Sequence, residues 1–232
     1  MKLVVSKLNP DPREDTRMEA TDWCKNHQMD VHTFLEMLGI NGAQEIDRLF
    51  SSEFKVAKRI VDGLPVKMGG AGAITLLYYL CEHTKASCVI ETGVANGWSS
   101  LAFLLSLKNR DGMLISTDMP YAKMRNEDFV GCVVPRDLRK NWTLIRKADV
   151  SGLPIALKKS EYFDLCHYDS DKTYKGRMWA YPLLWEKIRT GGFFVSDDVG
   201  DNLAFKDFAD SMNMEPWVVR FEDQFVGIMI KK

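Results

Sequence analysis

Five short apolar runs recur along the chain, and each ends in an acid or is soon followed by one. Cys88-Val89-Ile90 ends in Glu91, residues 113–117 end in Asp118, and residues 142–145 are followed by Asp149. Residues 162–168 end in Asp169, and residues 193–196 end in Asp197 and Asp198. Between these runs, residues 99–107, 153–159, 178–189 and 202–212 have the spacing of helices. Such alternation predicts an α/β fold with a doubly wound, mostly parallel sheet. The strand C-termini of an open sheet share one rim, and ligands bind in the crevice there, so the acids should converge on one site. Turn and cap preferences explain any one of them, but not the whole set.

The first run opens into Glu91-Thr92-Gly93-Val94-Ala95-Asn96-Gly97-Trp98-Ser99, with an apolar helix after it. Strand, glycine turn and helix start are the parts of a nucleotide-type site. Glycine there lets a backbone approach a ligand closely. Position 91 is Glu, so this is not the dinucleotide fingerprint, and no Gly-Lys-Ser/Thr follows as in a phosphate-binding loop. An acid at the strand end repels a pyrophosphate and suits a ligand with a cationic amino group or free hydroxyls. The pattern E-x-G-x-x-x-G resembles motif I of the class I methyltransferases, which bind S-adenosylmethionine.

The chain has 232 residues, 46% of them hydrophobic and 27% charged, enough for one α/β domain with added helices. A net charge of −1 with no basic run disfavours nucleic acid. Cys24, Cys81, Cys88, Cys132 and Cys166 form no CxxC and no ligand spacing with histidine, which predicts buried free thiols in a reducing cytoplasm. Neither a signal peptide nor a membrane span is visible, so a cytoplasmic protein is expected.

Residues 13–38 read as one helix, with Trp23, His27, Val31, Phe34, Leu35 and Leu38 on one face. Residues 44–61 read as a second. We therefore expect a helical arm over 1–65 and a cofactor-binding domain over 66–232. The apolar faces of the arm are too large to stay wet, which points to a lid over the site or a homodimer surface. Met68-Gly69-Gly70-Ala71-Gly72 is a glycine-rich turn before a helix at 74–81. Residues 121–139 are polar, with a helix near 137–140 and a mobile loop before it. Residues 217–220 and 225–230 read as a closing hairpin.

Asp169-Ser170-Asp171-Lys172 looks like the D-x-x-K segment of the cation-dependent O-methyltransferases of the catechol and caffeoyl-CoA type. Ser196-Asp197-Asp198-Val199 looks like the metal segment after the fifth strand of the same enzymes. The resemblance runs from about residue 66 to the C-terminus. It implies a Rossmann-like, seven-stranded sheet with a terminal antiparallel hairpin, and S-adenosylmethionine as cofactor. Met68 and Gly70 would border its methionine moiety, while Glu91, Gly93 and Gly97 line the pocket. Ser99 would bind the cofactor carboxylate at the helix start. Asp118, with Met119 beside it, would take the ribose hydroxyls, and Asp149 the adenine amino group. Asp169 would serve cofactor, metal and catalysis, with Asp197 and Asp198 as further metal ligands and Lys172 as general base. Crowded carboxylates need a positive partner, and oxygen-only donors favour Mg²⁺, Mn²⁺ or Ca²⁺ over Zn²⁺. The implied acceptor is a small hydroxylated molecule such as a sugar or secondary metabolite. Related natural-product enzymes carry His near position 172, so the lysine does not fix the acceptor class. Two rival readings are a relative that performs hydroxylation on the same scaffold, and a non-catalytic cofactor-binding protein.

Overall fold

The computed structural model describes residues 12–119 and 126–232. Residues 1–11 and 120–125 lie outside the described residues, and with them the start of the 121–139 segment, where a mobile loop is expected. A 3-10 turn at Pro12–Asp15 leads into α1 (Arg17–His27), β1 (Gln28–Asp30), α2 (Val31–Met37), α3 (Ile46–Leu49) and α4 (Ser51–Asp62). Then come α5 (Ile74–His83), β2 (Cys88–Thr92), α6 (Trp98–Leu107), β3 (Met113–Asp118), β4 (Trp142–Arg146), α7 (Asp149–Ala156) and β5 (Phe163–Tyr168). The chain closes with α8 (Tyr174–Lys187), β6 (Ile188–Ser196), α9 (Ala204–Ser211), β7 (Trp217–Phe221) and β8 (Gln224–Ile230).

The strands form one sheet in the order β1-β7-β8-β6-β5-β2-β3-β4. β8 runs antiparallel to β6 and β7, and the other pairings are parallel. From β2 the chain builds outward through β3 and β4, then returns to place β5 on the other side of β2. That reversal opens a crevice at the C-terminal ends of β2 and β5. Every residue of these two strands is buried, as expected where helices cover both faces of a parallel sheet. Successive residues point to opposite faces. Val89 and Leu165 join one core layer with α5 and α6, while Ile90 and Cys166 join the other with α7, α8 and α9.

The doubly wound sheet with its closing hairpin is as expected, but it has eight strands rather than seven. The additional strand, β1, interrupts the stretch expected to be one helix over 13–38. Asp30 explains the break, because its carboxylate accepts from Thr33 N at 2.9 Å and caps a new helix. The freed residues Gln28, Met29 and Asp30 pair in register with Val218, Val219 and Arg220. The expected helix over 44–61 is likewise two, α3 and α4, joined at Phe50. Phe34, Leu35, Ile46, Phe54 and Ala57 of the arm pack into the same core layer as α5 and α6. The helix expected near 137–140 is a 3-10 turn at Leu138–Asn141. Among the described residues no helix is long and apolar enough to cross a membrane.

Candidate active site

Two loops meet at the crevice. Gly93 follows β2 with φ +79°, and a Cβ on it would lie 2.2 Å from the carbonyl oxygen of Asp169, which follows β5. Asp169 N donates to Thr92 O at 2.9 Å and ties the loops together. Gly97, at φ +93°, starts α6, where a Cβ would lie 2.8 Å from Gly131 Cα. The close approaches these glycines permit are therefore between segments of the protein itself.

The loops border a cavity of about 1040 Å³. Of the residues expected at the site, Met68, Gly70, Gly93, Ser99, Asp118, Met119, Asp149, Asp169, Lys172, Asp197 and Asp198 line it. Glu91 and Gly97 are not in its wall, contrary to the expectation that they line the pocket. Glu91 is fully buried beneath the floor, where its Oε2 accepts from Ser100 Oγ at 2.6 Å and Ser116 Oγ at 2.7 Å. Gly97 is turned toward Gly131.

Asp118 holds the glycine turn in place. Its Oδ2 accepts from Val94 N at 2.7 Å and Ala95 N at 3.0 Å. Asp149 opens α7, and Ser170 Oγ and Tyr168 OH both donate to it. Burial pushes its carboxyl above the ordinary range, and these two donors offset only part of that shift.

The acids after β5 and β6 are opposed by protein cations. Lys172 Nζ is hydrogen-bonded to Asp169 and lies 2.9 Å from Asp198 Oδ2. Burial disfavours the charged lysine, but Asp169, Asp198 and Asp197 outweigh it and hold the ammonium well above its usual pKa. Burial and then the Asp197 charge push Asp169 up to about 6. Burial opposes ionisation of Asp197 too, yet His167 and Lys172 bring its pKa below the ordinary value.

His167 and Arg177 belong to this site although the sequence reading named neither. His167 is 1% exposed, with Nε2 3.5 Å from Asp197 Oδ1 and Nδ1 3.9 Å from Glu91 Oε1. Burial lowers its pKa, but the Asp197 charge and then Glu91 raise it to about 10. Glu91 and His167 are register partners on β2 and β5. Arg177 of α8 is fully buried and donates Nη2 to the carbonyls of Asp197 at 3.2 Å and Asp198 at 3.0 Å. For His167 the available signal was an ionisable residue inside a largely apolar run, whereas Arg177 follows Lys175-Gly176 and carried no such signal.

Asp169, Asp197 and Asp198 offer only carboxylate oxygens, the donors a hard divalent cation takes. As placed they do not fit one. Lys172 engages Asp169 and Asp198, His167 faces Asp197, and no three acidic, His or Cys side chains among the described residues gather as a metal site. The cluster can hold a proton and stabilise an oxyanion through Lys172.

Residues 90–199 match a family model described as a methyltransferase domain. No curated protein matches the sequence. An O-methyltransferase from Bacillus cereus, solved in complex with S-adenosylhomocysteine, shares the fold with a TM-score of 0.60 at 14% identity, over 90% of this chain and 100% of that one. The O-methyltransferase TomG from Streptomyces achromogenes, involved in tomaymycin synthesis and solved with S-adenosylmethionine, gives 0.58 at 18% identity, over 82% of this chain and 97% of its own. A Podospora anserina methyltransferase bound to S-adenosylhomocysteine gives 0.58 at 13% identity, over 98% of this chain and 100% of that one.

Proposed function

We propose that the chain is an S-adenosylmethionine-dependent methyltransferase that methylates a hydroxyl oxygen of a small molecule, a reading supported by the methyltransferase-domain match over residues 90–199 and the shared fold. The observation that carries this reading is Lys172, held between Asp169 and Asp198 in the wall of the switch-point cavity. A binding protein has no need of a proton-handling group at that position.

In this reading Asp118 receives the ribose hydroxyls, Asp149 the adenine amino group, and Ser99 the cofactor carboxylate at the start of α6, where backbone N–H groups favour an anion. Met68 and Gly70 border the methionine moiety. The arm supports the wall from behind, because Phe54 of α4 stacks on the cavity-lining Trp98, with ring centroids 6.0 Å apart.

Transfer needs the acceptor oxygen in line with the methyl carbon and its sulfur, so positioning is the main device. S-adenosylmethionine bound here would supply a methyl group on a sulfonium, so that the C–S bond would break as the C–O bond forms and the sulfur would depart as a neutral thioether. The hydroxyl proton goes to the Asp169 carboxylate, which burial and the Asp197 charge make a better proton acceptor than an ordinary carboxylate. The Lys172 ammonium in front of it stabilises the alkoxide as it develops. A lone neutral lysine is not required.

A divalent cation has no part in these steps. The sequence marks Asp169, Asp197 and Asp198 for one, and an ion there would have to displace Lys172. Transfer measured in excess chelator beside transfer with added Mg²⁺ decides between the two arrangements.

The reading is tested by calorimetry with S-adenosylhomocysteine, followed by methyl transfer to a panel of hydroxylated compounds. Wild type should bind the cofactor product, and Asp118→Ala should weaken binding by about 1.5–3 kcal/mol, the range for charge-assisted hydrogen bonds. A wild-type protein that binds no cofactor would overturn the proposal.

A further inference from the structure

Asn126 is 1% exposed in the cavity wall, and its Oδ1 has no hydrogen-bond partner among the described residues. Its Nδ2 lies 3.0 Å from the sulfur of Met68, a weak acceptor. Buried amide atoms are normally paired, and an unpaired carbonyl on a residue that lines a cavity marks that residue as an acceptor for a ligand.

The placement of Asn126 is fixed by its surroundings. Asn126 O accepts from Phe129 N at 3.0 Å. Gly131 N then donates to Ala95 O at 2.9 Å, and Val133 N to Asn96 O at 3.1 Å, so the segment is laced onto the glycine turn. A side chain at Gly131 would collide with the Trp142 ring, 2.1 Å from its Cβ. The amide therefore sits where the glycine turn, the Met68 loop and the segment after β3 meet.

The identity of the missing partner rests on the proposal that the cavity takes S-adenosylmethionine. That molecule has three polar parts. Adenine and ribose have Asp149 and Asp118. The amino-acid end has a carboxylate, for which Ser99 and the start of α6 are suited, and an ammonium, which needs an acceptor. Of the two acids the sequence offers, Glu91 lies under the floor with Oε2 already engaged, and Asp169 is already paired with Lys172. We propose that the Asn126 amide oxygen receives the α-ammonium of the cofactor. A neutral acceptor suits the position, because it pairs the ammonium without adding a charge to a cavity already lined by aspartates.

The test compares S-adenosylhomocysteine with 5′-methylthioadenosine, which keeps the nucleoside and lacks the amino-acid end. Asn126→Ala should weaken S-adenosylhomocysteine binding about tenfold, as for one lost hydrogen bond to a charged group. It should leave 5′-methylthioadenosine binding unchanged, which also shows that the pocket is intact. Asn126→Asp, which keeps the acceptor, should retain the wild-type preference for the full ligand. Equal weakening of both ligands, no weakening of either, or an Asn126→Asp protein that behaves like Asn126→Ala overturns the assignment. A wild type that binds neither ligand overturns the functional reading and this proposal with it. A wild type that binds both beside an unaltered Asn126→Ala overturns this proposal alone.

Discussion

Asp164 near the start of β5 and Asp169 just past its end are five residues apart, and the chain surrounds them in opposite ways. Asp164 is 5% exposed, with Oδ2 accepting from Ser87 N at 2.7 Å and Cys88 N at 2.9 Å, and Oδ1 accepting from Arg189 Nε at 2.5 Å. At the other end Asp169 meets Lys172 and stands near the charge of Asp197, beside a cavity. At the base of the sheet the starts of β2 and β6 converge, so their donors surround the carboxylate. At the rim the strands have ended and the loops diverge, so carboxylates face one another and the ligand space. One residue type fastens strands at one end and gathers charge beside a cavity at the other.

The sharpest way to break this contrast is to exchange the roles of the two cations. Lys172→Ala should lose about 10²–10⁴-fold in transfer rate at saturating cofactor, the range for a group that handles the proton. It should still bind S-adenosylhomocysteine. Lys172→Arg should not rescue, because the larger planar guanidinium does not fit the space the ammonium takes between Asp169 and Asp198. Arg189→Ala at the base should leave the rate per folded molecule unaltered. A Lys172→Ala enzyme near the wild-type rate would make Lys172 a counter-charge like Arg189.

Next in size is the base itself. Asp164→Ala leaves the N–H groups of Ser87 and Cys88 without their acceptor and Arg189 without its carboxylate. We expect a loss of about 3 kcal/mol in urea unfolding, from buried donors left unpaired. Cofactor affinity of the folded fraction should not change. A loss below about 1 kcal/mol would mean that water satisfies the strand starts and the clamp is ornamental.

The sequence carried most of the sheet because acid-terminated apolar runs mark both a strand and its C-terminal rim. β1 was not legible. It is three residues long, it pairs with a strand at the far end of the chain, and apolar helical spacing continues on both sides of it. The Asp30 cap was present as a signal but was overridden by that spacing. Glu91 shows a different limit. The motif places an acid at the strand end, but Ser100, Ser116 and the register partner His167 decide that it turns away from the cavity. That outcome depends on neighbouring elements which no single run reveals. Asn126 was hidden because the sequence around it has no periodicity, and the backbone bonds that tie Gly131 and Val133 to the glycine turn leave no mark in it.

The smallest effect is the most direct test of the contrast, because the two ends should respond to acid with opposite signs. Burial opposes ionisation of Asp164, but Arg189 and the N–H groups of Ser87 and Cys88 outweigh it and hold its pKa below the ordinary value. Its stabilisation is thus full above the unfolded carboxylate value and is lost as pH falls through the lower folded one. Asp149 at the rim is the reverse, with burial raising its pKa and the Ser170 and Tyr168 donors offsetting only part. Its ionised form burdens the fold at neutral pH, and the burden lifts as pH falls through the raised folded value toward the unfolded one. In urea melts from neutral pH downward, Asp164→Asn should be less stable than wild type, with a gap that holds to about pH 4 and closes below it. Asp149→Asn should exceed wild type at neutral pH, and its advantage should vanish by about pH 4. Asn keeps an acceptor for Ser170 and Tyr168, so the charge is the difference being measured. Gaps of the same sign would mean that the rim acid is as well satisfied as the one at the base, and the division of the sheet into a fastened end and a charged end would fail.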